Sequence, residues 1–199
     1  MKVKQKKKGF TLVELLAALV ILGLLTMIAA PNIMGILQST KLNTYERDAE
    51  KFVTTAEYKF RSDTSITKPA SNHCIIMNMK YLGSGEFKTS PYGGSYTYVD
   101  GSRDLENNNF VVIRRVDSGG TLKYVYHVQL LEYIKDKNRY SGVPLTPYAT
   151  VKGGSPIDYV KTGITTAPTA VTASYPASIT IKNDDGSNYN CPVDARYAA

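Results

Sequence analysis

Hydrophobic and polar positions divide the chain into three stretches with different periods. From Phe10 to Ala30 the residues are almost uniformly apolar, and Glu14 is their single charge. A helix rises about 1.5 Å per residue, so about 20 residues cross a hydrocarbon core of roughly 30 Å. The pattern predicts a membrane span here and nowhere else. Beyond Gly35 it becomes amphipathic. Leu42, Tyr45, Ala49, Phe52, Val53, Ala56 and Phe60 recur at three- and four-residue steps, with Arg47, Asp48, Glu50, Lys51, Thr54 and Glu57 between them. This predicts a helix with one buried stripe, ending near Asp63. Together the two stretches predict one helix of about 80 Å. Pro31 and Gly35 interrupt it as a kink, because proline removes a backbone donor and glycine weakens helix.

Residues 64–199 show the short periods of strands. Thr64 to Asn72 is a polar connection containing Pro69, and Ile75 to Leu82 forms a short element of unassigned type. Pro91-Tyr92-Gly93-Gly94 reads as a turn, followed by a strand from Tyr96 to Val99. Phe110 to Val116 is a β-branched run, Asp117 to Gly120 a turn, and Leu122 to Val128 the hairpin partner. Leu130 to Lys137 continues that strand or turns helical. Residues 142–176 hold five of the nine prolines, which predicts a long ordered loop carrying short strands. Ala177 to Lys182 reads as a late strand, and Asp184-Asp185-Gly186-Ser187 as a turn. The expected fold class is α+β: a long N-terminal α-helix, transmembrane in its first half and amphipathic in its second, packed on an antiparallel β-sheet head.

Charge changes the picture of the N-terminus. The balance of 24 Lys+Arg against 17 Asp+Glu gives +7, which opens a nucleic-acid reading. However, Lys2, Lys4, Lys6, Lys7 and Lys8 precede the apolar run, and such a cluster holds its end of a span in the cytoplasm. An ordinary secretory signal has a shorter apolar region and a small-residue cleavage site, and here Ala29-Ala30 runs straight into Pro31. A plain anchor leaves Glu14 unexplained, since a carboxylate within a span costs about 2.5–3.5 kcal/mol.

Lys6-Lys7-Lys8-Gly9-Phe10-Thr11-Leu12-Val13-Glu14 resembles the type III (prepilin) signal of type IV pilins and pseudopilins. The resemblance implies cleavage by a prepilin peptidase between Gly9 and Phe10, followed by N-methylation of Phe10. It implies that Glu14 of an incoming subunit pairs with the Phe10 amine of a neighbour, setting axial register. Pro31 matches the proline of the family's helix, and the resemblance implies that the segment at Pro31 and Gly35 bends in the membrane and melts or stretches in the fibre. The implied architecture is the pilin fold, with a cleaved leader 1–9, a hydrophobic transmembrane and assembly helix 10–37, an amphipathic half 38–63 and a globular head 64–199. Once the leader is cut, 19 Lys+Arg face 17 Asp+Glu, so the balance falls to +2 and no longer argues for nucleic acid.

The function implied is that of a structural subunit polymerising into an extracellular type IV pilus, with adhesion, twitching motility or DNA uptake downstream. The implied partners are copies of the chain, the peptidase, an assembly ATPase, a membrane platform protein and minor pilins. The implied location is the cytoplasmic membrane, N-terminus in and C-terminus out, and then the fibre. A pseudopilin of a secretion or competence system is the alternative. Ser90-Pro91-Tyr92-Gly93-Gly94-Ser95-Tyr96-Thr97-Tyr98 partly resembles a segment common in pseudopilins, with Ser90 in place of Asp and Tyr92 in place of Trp. A membrane-anchored enzyme or binding domain is the remaining alternative. No phosphate-binding glycine loop, HExxH or GxSxG is present, so neither catalysis nor a cofactor is expected.

Cys74 and Cys191 lie on the oxidising side and form a candidate disulfide, with two free thiols as the alternative. Two cysteines exclude a Cys₄ zinc site within one chain. Asp184 and Asp185 are weak calcium candidates that a hairpin turn explains equally well. His73 beside Cys74 is a candidate metal or nucleophile pair with no third group placed by sequence. The fifteen tyrosines are read as strand and sheet-face residues.

Overall fold

The computed structural model describes residues 9–87, 89–101, 103–166 and 177–198, with residues 29–32 and 84 described by backbone alone. The long helix α1 spans Leu12–Ser62. After it come β1 (Cys74–Asn78), α2 (Met79–Leu82), β2 (Val99–Asp100), β3 (Arg103–Asp104), α3 (Leu105–Asn108), β4 (Phe110–Ser118) and β5 (Thr121–Ile134). Then follow β6 (Arg139–Pro147), α4 (Tyr148–Gly153), α5 (Pro156–Tyr159), β7 (Lys161–Ile164), β8 (Ser178–Lys182) and β9 (Asn188–Tyr197). The chain divides between Thr40 and Lys41 into two compact units.

In the second unit, one face of α1 packs on the sheet. Tyr45, Ala49, Phe52, Val53 and Ala56 are fully buried, and they meet Ile75 and Met77 of β1, Val111 and Ile113 of β4 and Leu130 of β5. Side chains alternate along a strand, so Cys74 and Ile76 face the other way. There Ile179 and Ile181 of β8 cover Ile76, Phe110 and Val112, with Leu145 at the margin. The sheet is thus buried on both sides, by the helix on one and by the β8–β9 hairpin on the other. Cys74 and Cys191 are joined in a disulfide with Cα atoms 6.0 Å apart, tying β9 to β1. Closing a loop of 100 residues is worth about 4.7 kcal/mol in the chain-entropy model.

The seven-stranded order is β7-β6-β5-β4-β1-β9-β8. Its pairs are antiparallel except β1 with β9, which is parallel. The predicted β4–β5 hairpin forms with Val112 opposite His127 and Ser118 opposite Thr121. Gly119 and Gly120 close it with φ of 57° and 83°, values that a primed hairpin turn requires and that glycine adopts without penalty.

Two local expectations need correction, and a third that stood open between strand and helix is decided. Residues 142–147 complete strand β6 rather than open a loop, and α4, α5 and β7 follow it. Pro144 is tolerated because Val143 pairs with Leu130 and Thr146 with Val128, leaving Pro144 and Leu145 opposite Gln129 at a bulge. The part of the expected loop at 167–176 lies outside the described residues. Tyr96 to Tyr98 is not strand, since the Tyr96 carbonyl is taken by Asn109 Nδ2 at 2.9 Å instead of a ladder partner. Leu130 to Ile134 extends β5, and only Lys135–Lys137 turn as a short 3-10 helix.

Candidate functional site

At the N-terminus Thr11 caps α1. The Thr11 N–H and hydroxyl both donate to Glu14 Oε2, at 2.8 and 2.9 Å, and the Glu14 N–H donates to Thr11 Oγ1 at 3.3 Å. This reciprocal pattern is a capping box. The Thr-x-x-Glu spacing follows from the helix starting at Leu12, and a carboxylate there also meets the positive end of the helix dipole. The Thr-x-x-Glu spacing signals such a box, a reading that sequence reasoning missed.

Gly9 has open space around it. A Cβ built there meets nothing within 4 Å, and the same holds at Gly35. Packing among the described residues therefore gives no reason for glycine at either position. Between Phe10 and Leu37 the large apolar side chains are exposed: Leu15, Leu16 and Leu19 keep about 60% of their surface. An apolar surface of this extent marks an interaction with lipid or protein. The hydroxyls within it are satisfied on the helix itself. Thr26 donates to the Gly23 carbonyl at 2.9 Å, and Ser39 and Thr40 donate to the Ile36 carbonyl at 2.9 and 2.8 Å. Internal satisfaction of polar groups is what a hydrocarbon environment demands. No single helix among the described residues is long and apolar enough to cross a membrane. Leu12–Ile28 and Ile33–Ser62, as a bent pair, meet the test by length and composition. The Pro31 side chain, on which the expected kink rests, lies outside those described.

Residues 4–30 match the family model of the prokaryotic N-terminal methylation motif. The chain carries a type IV pilin or pseudopilin signal. Proteins with this pilin-type signal are structural and not catalytic as a family, and the motif implies prepilin-peptidase processing and pilus-type assembly machinery in general. No curated protein and no solved structure matches the chain.

The head holds a second polar constellation. Glu132 of β5 is fully buried and receives hydrogen bonds from the Tyr45 hydroxyl of α1, the Ser90 hydroxyl and the Gly94 N–H, the last at 2.8 Å. Burial raises the Tyr45 phenol far above its ordinary pKa, and the bond to Glu132 adds to this, so Tyr45 remains a donor. Tyr96 donates to Asp48 Oδ2 at 2.9 Å, and burial raises the Asp48 carboxyl above its usual range. Tyr92 stacks on Tyr45 with ring centroids 5.9 Å apart. The segment Ser90 to Tyr96 is thereby clamped to the helix and to β5. Gly94 is required by contact, since a Cβ there would lie 2.5 Å from Glu132 Oε2 and 2.6 Å from the Tyr133 carbonyl oxygen. Sequence reasoning missed Glu132. Its only signal was a lone carboxylate in the apolar run Leu130 to Ile134.

The other candidates sit apart. His73 Nδ1 lies 2.5 Å from Asp194 Oδ1, and Cys74 is in the disulfide, so they do not form a metal or nucleophile pair. Asp185 folds back on its own turn, accepting from the Ser187 N–H at 2.9 Å and from its hydroxyl at 2.6 Å. No cluster of three His, Cys, Asp or Glu that could hold a metal lies among the described residues.

Proposed function

We propose that this chain is the structural subunit of a type IV pilus, processed between Gly9 and Phe10 and polymerised through α1. One observation carries the reading. The matched signal leads directly into a capped helix whose large apolar side chains, among the described residues from Phe10 to Leu37, stay more than half exposed. A surface of that kind needs the bilayer first and other subunits afterwards. The lysine leader holds the N-terminus in the cytoplasm and the head outside. Cleavage frees an α-amine on Phe10 that methylation keeps cationic. Both Thr11 bonds fall on Glu14 Oε2. The proposal assigns Oε1 to the Phe10 amine of a neighbouring subunit, which offsets the cost of an unpaired buried charge. Pro31 and Gly35 are the proposed place where the helix bends or stretches. Copies of the chain, the peptidase, an assembly ATPase, a platform protein and minor pilins are the proposed partners.

A pseudopilin role is favoured by the Ser90 to Tyr96 segment and remains the second reading. Mass spectrometry of sheared surface material tests both. Abundant fibres beginning with N-methyl-Phe10 support the pilus subunit. N-methyl-Phe10 found only in cell envelopes supports the pseudopilin, and Met1 still attached overturns both.

A further inference from the structure

On the sheet face opposite α1, the β8–β9 turn overhangs β4 and β5 and leaves a cavity of about 350 Å³. Arg114, Lys123 and Lys182 supply positive charge to it, Asp184 stands among them, and Val116 and Val125 give it apolar wall. Such a mixture of apolar wall and a few convergent polar groups is the usual make-up of a small-molecule site.

Two polar atoms decide what would fit. The Arg114 guanidinium is held flat, with Nη1 donating to Asn183 Oδ1 at 2.6 Å and its centre 3.6 Å from the Tyr189 ring centroid. Its Nε is buried and has no hydrogen-bond partner among the described residues. His127 is 3% exposed, and its Nε2 lies 2.6 Å from the Lys182 carbonyl oxygen. A carbonyl only accepts, so Nε2 carries the proton and Nδ1 is left as an acceptor, also buried and without a partner among the described residues. Burial holds the imidazole below its usual pKa, and the nearby Arg114 charge adds to this, so the ring stays neutral at neutral pH.

A ligand complementary to this wall brings an anionic acceptor for the fixed guanidinium and a hydroxyl donor for Nδ1. We propose that the cavity under the β8–β9 turn binds one acidic sugar residue, with its carboxylate on Arg114 and a hydroxyl on His127 Nδ1. A bare phosphate fits less well. It would leave most of the volume empty and would meet Asp184 with a second negative charge. The sugar ring instead offers C–H faces to Val116 and Val125 and a further hydroxyl to Asp184. Asp185 does not compete, because its carboxylate is engaged by Ser187.

The test is a titration of the full-length chain in nonionic detergent micelles at neutral pH with glucuronate, glucose and inorganic phosphate. It is read by calorimetry and by the ¹⁵N signals of the His127 ring. Saturable glucuronate binding that moves those signals, lost about tenfold or more in Arg114→Gln and in Arg114→Lys, supports the site, because the fork and not the charge alone is used. Absence of saturable glucuronate binding overturns it, and so does equal binding of glucose or of phosphate. Arg114 also holds Asn183 and Tyr189, so the exposed Lys123→Ala variant guards against a folding artefact. An affinity about threefold weaker with unchanged melting is expected there. Unchanged affinity in Lys123→Ala and Lys182→Ala together overturns the proposal.

Discussion

Residues 12–40 and 41–62 belong to one helix, yet their apolar side chains meet opposite fates. Tyr45, Ala49, Phe52, Val53 and Ala56 have no exposed surface, whereas Leu19, Leu22 and Leu25 keep about 60% of theirs. The polar groups differ as well. In the second stretch charges lie outside the buried stripe, and Asp48 beside it is bonded to Tyr96. In the first, Glu14 is the single charge and sits inside the capping box. Amphipathic helix is stable because its stripe meets a sheet made by the same chain. The apolar side chains described in the first stretch stay more than half exposed. The same backbone geometry thus buries its apolar side chains in one stretch and exposes them in the other, and the side-chain pattern decides which.

The most severe way to break this comparison is Glu14→Ala. Surface fibres are expected to disappear from sheared material, while cleavage and the melting of the head stay unchanged. Normal fibres from this variant would sink the proposed role of Glu14.

A paired truncation sharpens the contrast directly. Phe52→Ala should destabilise the head by about 3–5 kcal/mol, because a large cavity opens against Phe87 and the sheet. Leu19→Ala should leave thermal unfolding of the head within about 0.5 kcal/mol of the parent. Equal effects from the two variants in denaturant melts would show that the stretches do not differ as described.

Gly94→Ala probes the clamp between the second stretch and the head. The added methyl meets Glu132 Oε2 and the Tyr133 carbonyl, and overpacking of this kind costs about 1–3 kcal/mol. N-terminal processing should be unaffected, as shown by mass spectrometry of the same sample.

The smallest expected effect is a pH dependence confined to the head. Burial pulls the Asp194 carboxyl upward, but the His73 side chain and the Ala70 N–H outweigh this and hold it below its usual range. A depressed carboxylate contributes stability that is present above its unfolded pKa of about 3.9 and is lost as pH falls through the folded value. The melting difference between the parent and Asp194→Asn should be full at about pH 5 and shrink below about pH 4. A difference that does not change over that interval would contradict the assignment.

Much of the fold was legible because its signals are local. The helix stripe from Leu42 to Phe60 follows from the 3.6-residue period, and the β4–β5 hairpin from a β-branched run ended by Gly119-Gly120. β9 was not legible. Its run Asn188 to Tyr197 is polar and contains Pro192, and it becomes a strand by pairing with β8 and β1. β6 was obscured by Pro144, which a bulge accommodates, and by Pro147, which ends the strand. Of the site, Gly9, Phe10 and Glu14 stand in one contiguous motif. The Glu132 clamp joins residues 87 positions apart, and such pairings leave no trace in local spacing.

By itself the sequence determined the N-terminal signal, the lone carboxylate at the helix start and the division of α1 into an apolar and an amphipathic stretch. These depend on chain order and helical period alone. Only the tertiary structure decided that Tyr45, Ser90 and Gly94 converge on Glu132 and that the β8–β9 hairpin covers the second sheet face. The same is true of the parallel pairing of β9 with β1 and of the two atoms that have no partner among the described residues beside one cavity. Each of these arises when distant strands meet, because burial and hydrogen-bond satisfaction are settled by the whole packed head and not by any one segment.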